Sequence, residues 1–452
     1  MLSRSIFEKL RKKYDKICLY REIGTDLSPS EAYLRIREPY SFLFESAEKG
    51  KNPEFSFLGI SKGHISLKNK SIYFLKDVLK KKIYVEEKLS SFMGGIVGFV
   101  SYEMINQFEK LENSENDFPD AMFLIIEDFI VFNHRTKKAY IVAVLNSYER
   151  YEEGIKRIEY LENKLKKEKT LNTSGKIKEF VSNFSRKDFE NAVKKAKEYI
   201  YSGDIFQVVL SRRIETEMEG DAFCIYEKLK KINPSPYMFY LDFKDIIVLG
   251  SSPEVLIKLR GKKAILKPIA GTRPRGKTGE EDNLLEREML SDEKEKAEHI
   301  MLVDLGRNDL GRVCETGSVR VEELMIVEKY SHVQHIVSTV SGILKEGLDA
   351  FDLFKASFPA GTVTGAPKIR AMEIIRDLEK EKREVYAGGI GYFSYDGDMD
   401  FAIAIRTLFL KGKRLIAQAG AGIVADSVPE REYYETERKL GAVREAAQEA
   451  FK

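Results

Sequence analysis

The sequence predicts an α+β fold of two lobes, in which large and mostly antiparallel β-sheets pack against helices. The 452 residues are enough for two domains or two large lobes. Apolar residues make up 43% of the chain and charged residues 33%, which is typical of a globular protein with a packed core. Strand-like runs follow one another without the regular strand–helix alternation of a doubly wound sheet, which favours antiparallel pairing.

The first lobe is expected over residues 1–175 as a mixed α/β unit. Its strand-like runs are short and rich in β-branched and aromatic residues, and they are 17–23, 40–46, 55–60, 123–132 and 139–144. The Gly-rich run 93–100 indicates close packing of backbones. Charged residues with apolar residues at helical spacing predict a helix over 147–169. The polar stretch 171–178 is the expected linker.

The second lobe, residues 176–452, is expected to contain the active-site cleft. Ser185 to Asp188 resembles a capping box, which predicts a helix through Tyr201. A helix is also expected from Pro367 to Leu378, capped by Thr364 or Gly365. The other predicted helices are 283–305 and 429–451. The predicted strands are 206–212, 237–242, 246–250, 255–259, 263–266, 331–342, 388–395, 402–410 and 414–424.

Charge and cysteine usage argue against several classes of function. The formal charge is only +3 and Lys-rich pieces have Glu residues nearby, so we expect no nucleic-acid partner. No apolar run reaches the roughly 18 residues of a membrane span, and the first residues resemble a charged helix rather than a signal peptide. Cys18, Cys224 and Cys314 lie far apart without CxxC spacing, which disfavours disulfides or a metal cage. We therefore expect a cytoplasmic protein.

The segment 267–276, Lys-Pro-Ile-Ala-Gly-Thr-Arg-Pro-Arg-Gly, is the first candidate for a functional site. It follows the predicted strand 263–266, and a turn rich in Gly, Pro and Arg at the end of a strand can direct amides and guanidinium groups at an anion. Most such loops are connectors, so the residues alone leave both roles open.

Two acidic helices are the second candidate. Glu295 and Glu298 are three residues apart and share a helix face, as do Glu432 and Glu435, with Lys439 one turn further on. Solvated helix faces look the same. Carboxylates from two helices could instead hold Mg²⁺, which takes oxygen ligands from one or two carboxylates, water and substrate.

Three further features are candidates for the site. Arg406 ends an apolar run and needs an anionic partner, either a structural carboxylate or a ligand. Gly420 and Gly422 let backbone amides approach a carboxylate closely. His335 lies in a predicted strand, where a histidine is more often a core residue than a proton carrier.

Taken together, these segments resemble the chorismate-utilising enzymes, most densely from Ser185 to Leu440. The matching segments occur in the family order, and they are 267–276, 298–309, 360–368, 386–393, 400–407, 418–423 and 426–436. Ala270 is typical of the anthranilate-forming branch, since aminodeoxychorismate synthases usually carry Lys there. Gln207 stands where isochorismate and salicylate synthases carry a Lys base, so ammonia rather than water is the expected nucleophile.

The resemblance assigns roles to individual residues. Glu298 and Glu435 would bind Mg²⁺ directly, and Glu295 and Glu432 would support it. His335 would carry protons, and Glu254 would protonate the leaving C4 hydroxyl, for which its pKa must be raised. Thr272 and Gln207 complete the catalytic set. The substrate-binding set is Ala270, Gly271, Thr362, Tyr386, Arg406, Gly420, Gly422 and Lys439.

The implied reaction converts chorismate and ammonia to anthranilate and pyruvate, the first step towards tryptophan. Since none of the three cysteines lies in a Gly-rich nucleophile turn, we expect a separate glutamine amidotransferase subunit and a hetero-oligomer. Inhibition by tryptophan is expected at a pocket formed by Glu45, Ser46, Pro236, Tyr237 and Met238. The alternatives are an aminodeoxychorismate synthase and a non-catalytic subunit that binds tryptophan.

Overall fold

The computed structural model describes residues 2–46, 54–111, 117–330 and 333–452. In these residues the chain forms eleven α-helices and 24 β-strands. The helices are α1 (Arg4–Leu10), α2 (Pro29–Ile36), α3 (Lys76–Leu79), α4 (Tyr151–Leu165), α5 (Arg186–Tyr201), α6 (Ala222–Ile232), α7 (Gly279–Ser291), α8 (Glu293–Val313), α9 (Ala350–Ser357), α10 (Lys368–Leu378) and α11 (Pro429–Glu449). Short 3₁₀ helices span Ile72–Leu75, Tyr102–Gln107 and Gly361–Val363.

The strands of the first 175 residues are β1 (Lys16–Ile23), β2 (Ser41–Glu45), β3 (Phe55–Ile60), β4 (His64–Leu67), β5 (Ile83–Tyr84), β6 (Gly95–Val100), β7 (Ala121–Ile126), β8 (Asp128–Asn133) and β9 (Lys138–Asn146). Those that follow are β10 (Gly175–Ile177), β11 (Val181–Ser182), β12 (Gln207–Gly220), β13 (Tyr237–Asp242), β14 (Ile246–Ser252), β15 (Val255–Arg260), β16 (Lys263–Leu266), β17 (Ile269–Pro274), β18 (Arg320–Lys329), β19 (Val333–Ile343), β20 (Gly365–Ala366), β21 (Gly389–Ser394), β22 (Met399–Ile403), β23 (Thr407–Lys411) and β24 (Arg414–Ile423).

Two sheets contain these strands. The larger has 14 strands in the order β10-β12-β24-β23-β14-β13-β2-β3-β8-β9-β1-β5, with β11 and β20 also paired to β12. The smaller has ten strands in the order β17-β19-β16-β15-β22-β21-β6-β7-β4, with β18 paired to β19. The pair β1 and β5 is parallel, whereas long pairs such as β12 with β24 are antiparallel. The predicted α+β class with large, mostly antiparallel sheets is confirmed.

The two sheets face each other across a layer rich in aromatic residues. Side chains alternate along β2, so Phe42 points into this layer with Phe92 and Phe129, while Leu43 packs against helices outside. Helices α2, α4, α6 and α11 cover the outer face of the larger sheet. Helices α8 and α9 cover that of the smaller sheet. The layers therefore run helix, sheet, sheet, helix.

Most predicted elements are confirmed. The strands predicted at 237–242 and 263–266 have the predicted bounds, and the C-terminal helix ends within two residues of its predicted end. Ser185 caps α5 as expected, because its side chain accepts a hydrogen bond from the backbone N–H of Asp188 at 3.1 Å.

Two strand predictions are wrong in the same way. The run 123–132 is not one strand: it is β7 in the smaller sheet followed by β8 in the larger sheet, with Glu127 at the crossing. The run 402–410 likewise divides into β22 and β23, one in each sheet. Both runs are apolar on either side of the break because each half enters a buried sheet. Arg406 therefore lies in a crossing between sheets and does not end a strand.

Several boundaries also differ. The helix predicted over 147–169 is the shorter α4, and the block 283–305 is two helices, α7 and α8. Neither Thr364 nor Gly365 caps α10, whose N-cap is Pro367; the Thr364 hydroxyl donates instead to the Ala360 carbonyl at 2.9 Å. The first two residues of the predicted strand 331–342 lie outside the described residues.

The predicted boundary near residue 175 falls inside a continuous structure. β13 of the second segment pairs with β2 of the first in the larger sheet, and β21 pairs with β6 in the smaller sheet. The expected linker contributes β10, a short strand that pairs with β12. The division into a regulatory and a catalytic unit stays a prediction about function, since both sheets join the two segments.

Candidate active site

His335 lies on β19, directly beside the irregular pairing of β17. The β17–β19 register shifts between Ala270 and Arg273, and Gly271 takes a φ of 58° there, which glycine adopts at little cost. The Nδ1 atom of His335 lies 2.8 Å from the Gly271 carbonyl and 3.0 Å from the Thr272 hydroxyl. A carbonyl oxygen only accepts, so Nδ1 carries the proton and Nε2 is the basic nitrogen.

The surroundings of His335 keep the ring neutral. Burial lowers the pKa of His335 below its usual value, and the positive charge of Arg406 lowers it further against opposing effects of Gly271 and Glu328. Tyr330 packs edge-on against the imidazole, with ring centroids 5.4 Å apart. A neutral imidazole with a free Nε2 can accept a proton near neutral pH.

Glu254 joins β14 to β15 and is buried. Burial raises its pKa to about 8, although Thr362, Lys439 and Arg406 each act in the opposite direction. The Thr362 hydroxyl faces this carboxyl, yet within the described residues it makes no hydrogen bond of good geometry. At neutral pH the Glu254 carboxyl is thus largely protonated and can donate its proton.

Arg406 has the backbone conformation of a turn, with φ 50°, between β22 and β23. Its side chain keeps some contact with solvent. Desolvation nevertheless lowers the pKa of Arg406, although the charges of Glu254 and Tyr330 act to raise it. Within the described ranges, no carboxylate lies within ion-pair distance of its guanidinium. The structural carboxylate that could have satisfied Arg406 is therefore missing from this part of the chain, and the group is available to an anionic ligand.

The two glycines of β24 are needed for close approach. A Cβ at Gly420 would lie 2.7 Å from the Tyr386 hydroxyl oxygen, and a Cβ at Gly422 would lie 2.6 Å from the Gln207 amide nitrogen. Lys439 on α11 donates to the Gly420 carbonyl at 3.0 Å. Four of the eight predicted substrate-binding residues, Tyr386, Gly420, Gly422 and Lys439, thus form one wall over β12 and β24.

Gln207, the first residue of β12, is the link between this wall and the acidic helices. Its Nε2 donates to Glu298 Oε1 at 3.4 Å. Its Oε1 is buried and has no hydrogen-bond partner in the described residues. An unpartnered buried acceptor costs about 1–3 kcal/mol, so a ligand that donates a hydrogen bond here would be favoured.

The four glutamates of α8 and α11 form one negative region. Burial raises the pKa of Glu298, and the charges of Glu295 and Glu435 raise it further. Burial and Glu435 likewise raise the pKa of Glu432. Two of the four already have cationic partners: Arg273 lies 3.2 Å from Glu295, and Lys439 lies 2.8 Å from Glu435. Among the described residues no three acidic, His or Cys side chains converge tightly enough to hold a metal by themselves.

Some residues at this site were not predicted. Arg273 stands in the segment 267–276, but nothing in the sequence indicates its ion pair with Glu295. Arg383 lies in a charged run, Lys-Glu-Lys-Arg-Glu, that looks like a solvated surface, yet its side chain is 1% exposed and lies behind Tyr386. Only the tertiary structure distinguishes Arg383 from its exposed neighbours.

A separate cavity of about 280 Å³ contains the residues predicted to bind tryptophan. Its lining includes Glu45, Ser46, Pro236, Tyr237 and Met238. β2 and β13 are adjacent strands, and Met238 pairs with Glu45 in their register. Further walls are aromatic, and they are Phe44, Phe55, Phe57, Phe239 and Tyr392. The two sequence segments that were expected to form one pocket do meet.

The cysteines and the helices have two further features. Cys18, Cys224 and Cys314 are all buried and unpaired, and burial raises the pKa of the Cys18 thiol to about 12. None of the helices in the described residues has the length and apolar character needed to cross a membrane.

Comparison with known proteins gives consistent results. A family model described as chorismate binding enzyme matches residues 37–445. The anthranilate synthase component 1 of Aquifex aeolicus is 45% identical, over 98% of this chain and 97% of its own length. The anthranilate synthase component I of Streptococcus pneumoniae superimposes with a TM-score of 0.80 at 40% identity, covering 94% of this chain and 99% of that one. The menaquinone-specific isochorismate synthase of Escherichia coli has a TM-score of 0.76 at 20% identity and covers 98% of this chain and 99% of its own, which supports the fold alone.

Proposed function

Because this chain belongs to the family of chorismate-binding enzymes and has the large-subunit role of converting chorismate into anthranilate, we propose that its cleft binds chorismate by both carboxylates. The observation that carries this proposal is the Arg406 guanidinium, which has no ion-pair partner in the described residues. An arginine with that environment needs an anion. The proposed anion is the enolpyruvyl carboxylate, with Tyr386 and the amides of Gly420 and Gly422 beside it.

The other end of chorismate is assigned to Mg²⁺. Glu298 lies in a crowded negative region, since Glu295 and Glu435 both raise its pKa. A divalent cation relieves that repulsion, and Mg²⁺ is usually held by one or two carboxylates and completed by water and substrate oxygens. The residues fit this kind of site, with Glu298 and Glu435 as direct ligands and Glu295 and Glu432 in support. The ion would polarise and orient the ring carboxylate.

Proton transfers are assigned to two groups. Glu254 holds a proton near neutral pH because its pKa is raised to about 8, so it can protonate the C4 hydroxyl as that group leaves. His335 offers a basic Nε2 for the proton that is lost when the ring becomes aromatic. Gly271 and Thr272 hold its Nδ1 and thereby fix the tautomer.

Ammonia is the proposed nucleophile. Gln207 has no basic group that could activate water, and its Oε1 is a buried acceptor without a partner in the described residues. An N–H of ammonia satisfies that acceptor, while the nitrogen lone pair is left to attack C2. This favours amination over the water addition of isochorismate synthases.

A second subunit is proposed as the source of ammonia. The relatives are named component 1, which implies a partner component. The three cysteines of this chain are buried, and the raised pKa of each thiol does not suit a nucleophile. We therefore assign glutamine hydrolysis to a separate glutamine amidotransferase subunit in a hetero-oligomer, located in the cytoplasm.

Tryptophan is the proposed occupant of the 280 Å³ cavity. The cavity is close to the lower limit of small-molecule sites, which suits one amino acid with an indole ring. Its aromatic walls can stack on that ring. Glu45 and Asp400 at its edge can pair with the ammonium group, and Lys258 and Arg260 with the carboxylate. Feedback inhibition by tryptophan would act through this cavity.

The experiment that tests the proposed function is a product analysis. The purified chain is mixed with chorismate, Mg²⁺ and ammonium at mildly alkaline pH, and products are identified by fluorescence and mass. Anthranilate and pyruvate in equal amounts, lost on adding a chelator, are expected. With glutamine in place of ammonium the chain alone should be inactive, and glutamine-dependent turnover would contradict the assignment of a separate amidotransferase.

A further inference from the structure

Three separate pieces of chain form the proposed enolpyruvyl end of the pocket. The 3₁₀ turn Gly361–Val363 carries Thr362, β12 supports the β24 glycines through the register pair Val209 and Gly422, and Tyr386 stands beside Gly420. One buried side chain, Arg383, contacts all three pieces. Its contacts decide how far apart the walls of the pocket lie.

The Arg383 guanidinium bonds in two directions. On one side Nε and Nη2 donate to the two oxygens of Glu379, at 2.9 Å and 2.6 Å. On the other side Nη1 donates to the Val363 carbonyl at 2.6 Å and Nη2 to the Val209 carbonyl at 2.7 Å. The guanidinium carbon also lies 5.5 Å from the centre of the Tyr386 ring. The same planar group thus ties the Thr362 turn to β12 and abuts Tyr386.

Arg383 is itself held rigidly. Its backbone N–H and that of Glu384 donate to the two oxygens of Glu103, at 2.9 Å and 3.0 Å. Glu379 also accepts from the backbone N–H and the hydroxyl of Ser211, each at 2.8 Å. A satisfied buried network of this kind fixes one geometry, since any movement leaves a polar group unpaired.

We propose that Arg383 is a positioning residue for chorismate: it sets the spacing between the Thr362 turn and β12 and so the shape of the enolpyruvyl pocket. This inference rests on the proposed placement of the substrate between these walls. Arginine is required because its fork bonds a carboxylate and two carbonyls at once, whereas the single ammonium of lysine cannot reach all three acceptors in fixed directions. Arg383 does not touch the substrate.

The test compares Arg383→Lys with a matched control, Arg157→Lys. Arg157 is a half-buried arginine on α4 that bonds Asp128, Glu149 and the Val144 carbonyl, outside every candidate site. Arg383→Lys should lower kcat/KM for chorismate about 10²-fold, the cost of a misplacement near 1 Å. The KM for ammonium should change much less, because Arg383 bonds β12 at the Val209 carbonyl while the Gln207 side chain bonds Glu298. Arg157→Lys should lower the melting temperature and leave both constants unchanged.

A milder variant covers the case in which Arg383→Lys does not fold. Glu103→Gln keeps one of the two acceptors for the backbone of residues 383 and 384, so it should lower kcat/KM for chorismate in the same way but by a smaller factor. Folded variants whose kcat/KM for chorismate equals that of the parent would overturn the proposal, as would equal losses for chorismate and ammonium.

Chemical rescue separates positioning from general stability. A cavity of about 230 Å³, lined by Glu103, Arg376, Glu379 and Arg383 among others, opens behind the guanidinium. In Arg383→Ala, added guanidinium ions should raise kcat/KM for chorismate at least several-fold, and methylammonium should not. Folded Arg383→Ala that is unresponsive to guanidinium counts against the proposal.

An Arg406→Gln arm distinguishes this inference from the proposed function. If Arg406→Gln leaves the KM for chorismate unchanged, the proposed placement of the substrate is wrong. The proposed role of Arg383, which depends on that placement, is then also wrong. If Arg406→Gln raises that KM while Arg383→Lys does not, the placement stands and the positioning role alone is contradicted.

Discussion

The catalytic cleft and the tryptophan cavity differ in how their polar groups are satisfied. In the cleft, Arg406 has no ion-pair partner and the oxygens of Thr362 and Gln207 have no hydrogen-bond partner, within the described residues. In the cavity, Glu45 accepts from the Tyr226 hydroxyl at 2.5 Å and from Lys230 at 2.8 Å. Asp400 in turn accepts from Tyr237 and Arg260 and pairs with Lys258.

This difference indicates which interactions would bind a ligand at each site. A ligand that enters the cleft completes hydrogen bonds and charges that the protein leaves open, so polar groups carry its binding. A ligand in the cavity must share charged groups that already have partners within the protein, so it gains more by burying apolar surface. The cleft therefore suits a dicarboxylate whose position must be fixed, and the cavity suits an amino acid with a large ring.

The largest effect is expected for the acid in the cleft. Glu254→Gln removes the donated proton but keeps size and polarity, so kcat should fall about 10³-fold. Anthranilate fluorescence with saturating chorismate and ammonium measures it. Asp400→Asn, the matched change of a buried carboxylate at the cavity, should lower kcat less than threefold, and a similar loss in both variants would contradict the comparison.

The pH dependence of kcat provides a second test of Glu254 as the acid. Glu254 acts as an acid in its protonated form, which is present below its pKa of about 8 and is lost as the pH rises through that value. His335 acts as a base in its neutral form, which its lowered pKa preserves down to below its ordinary value of 6.5. At a constant concentration of free ammonia, kcat should thus fall above about pH 8. If the kcat of Glu254→Gln still falls above about pH 8, a group other than Glu254 causes that loss.

The next largest effect concerns Arg406. Arg406→Gln should raise the KM for chorismate about 10²-fold, because a charge-assisted contact to a carboxylate is lost. The same change removes a desolvated charge that has no ion-pair partner in the described part of the chain, so the melting temperature should stay equal or rise. Steady-state kinetics and thermal unfolding measure the two quantities. A stability loss without a change in KM would mean that Arg406 has a structural role.

A tenfold effect is expected at the cavity. Ser91 lines the cavity and accepts from the Tyr392 hydroxyl at 2.9 Å. Ser91→Phe fills the space and should raise the tryptophan concentration for half inhibition at least about tenfold, while Ser91→Ala loses the same hydrogen bond and should change it less than threefold. Each value is normalised to the uninhibited rate of its own variant. Equal sensitivity in both variants would place tryptophan elsewhere.

The smallest effect is on stability. Glu45→Gln breaks the charge pair with Lys230, which is partly exposed, and weakens the bond from Tyr226, so unfolding should become easier by about 1–2 kcal/mol. Thermal unfolding should show a lower melting temperature than for the parent, whereas that of Arg406→Gln should stay equal or rise. If both variants shift stability in the same direction, the contrast between satisfied and unsatisfied charges does not hold.

The sequence predicts local structure well where one strand stays in one sheet. Strand prediction fails at Glu127 and Arg406, where the chain crosses from one sheet to the other. Apolar residues continue on both sides of each crossing, so the hydrophobic pattern does not indicate where one strand ends and the next begins. The charged side chains at the two breaks are the hints, because a charged residue in an apolar run needs a partner, and for Glu127 the structure supplies Lys16 at 2.5 Å.

The candidate site was predicted through motifs rather than through geometry. The sequence names Gln207, Glu298 and His335 from distant segments, and the structure brings their elements together at one end of the sheets. The sequence could not identify Arg383 as a functional residue. Its proposed role depends on hydrogen bonds to the carbonyls of Val363 and Val209 on other elements, and no spacing in the sequence predicts such contacts. Positions whose partners are backbone atoms of remote segments are visible only after folding.

The most direct test of the central claim is a crystal structure of the chain with Mg²⁺, anthranilate and pyruvate. The account predicts the pyruvate carboxylate within hydrogen-bond distance of the Arg406 guanidinium, and the anthranilate carboxylate on a Mg²⁺ ion bound by Glu298 and Glu435. Products bound in the reverse orientation, or a metal ion away from these two glutamates, would contradict it.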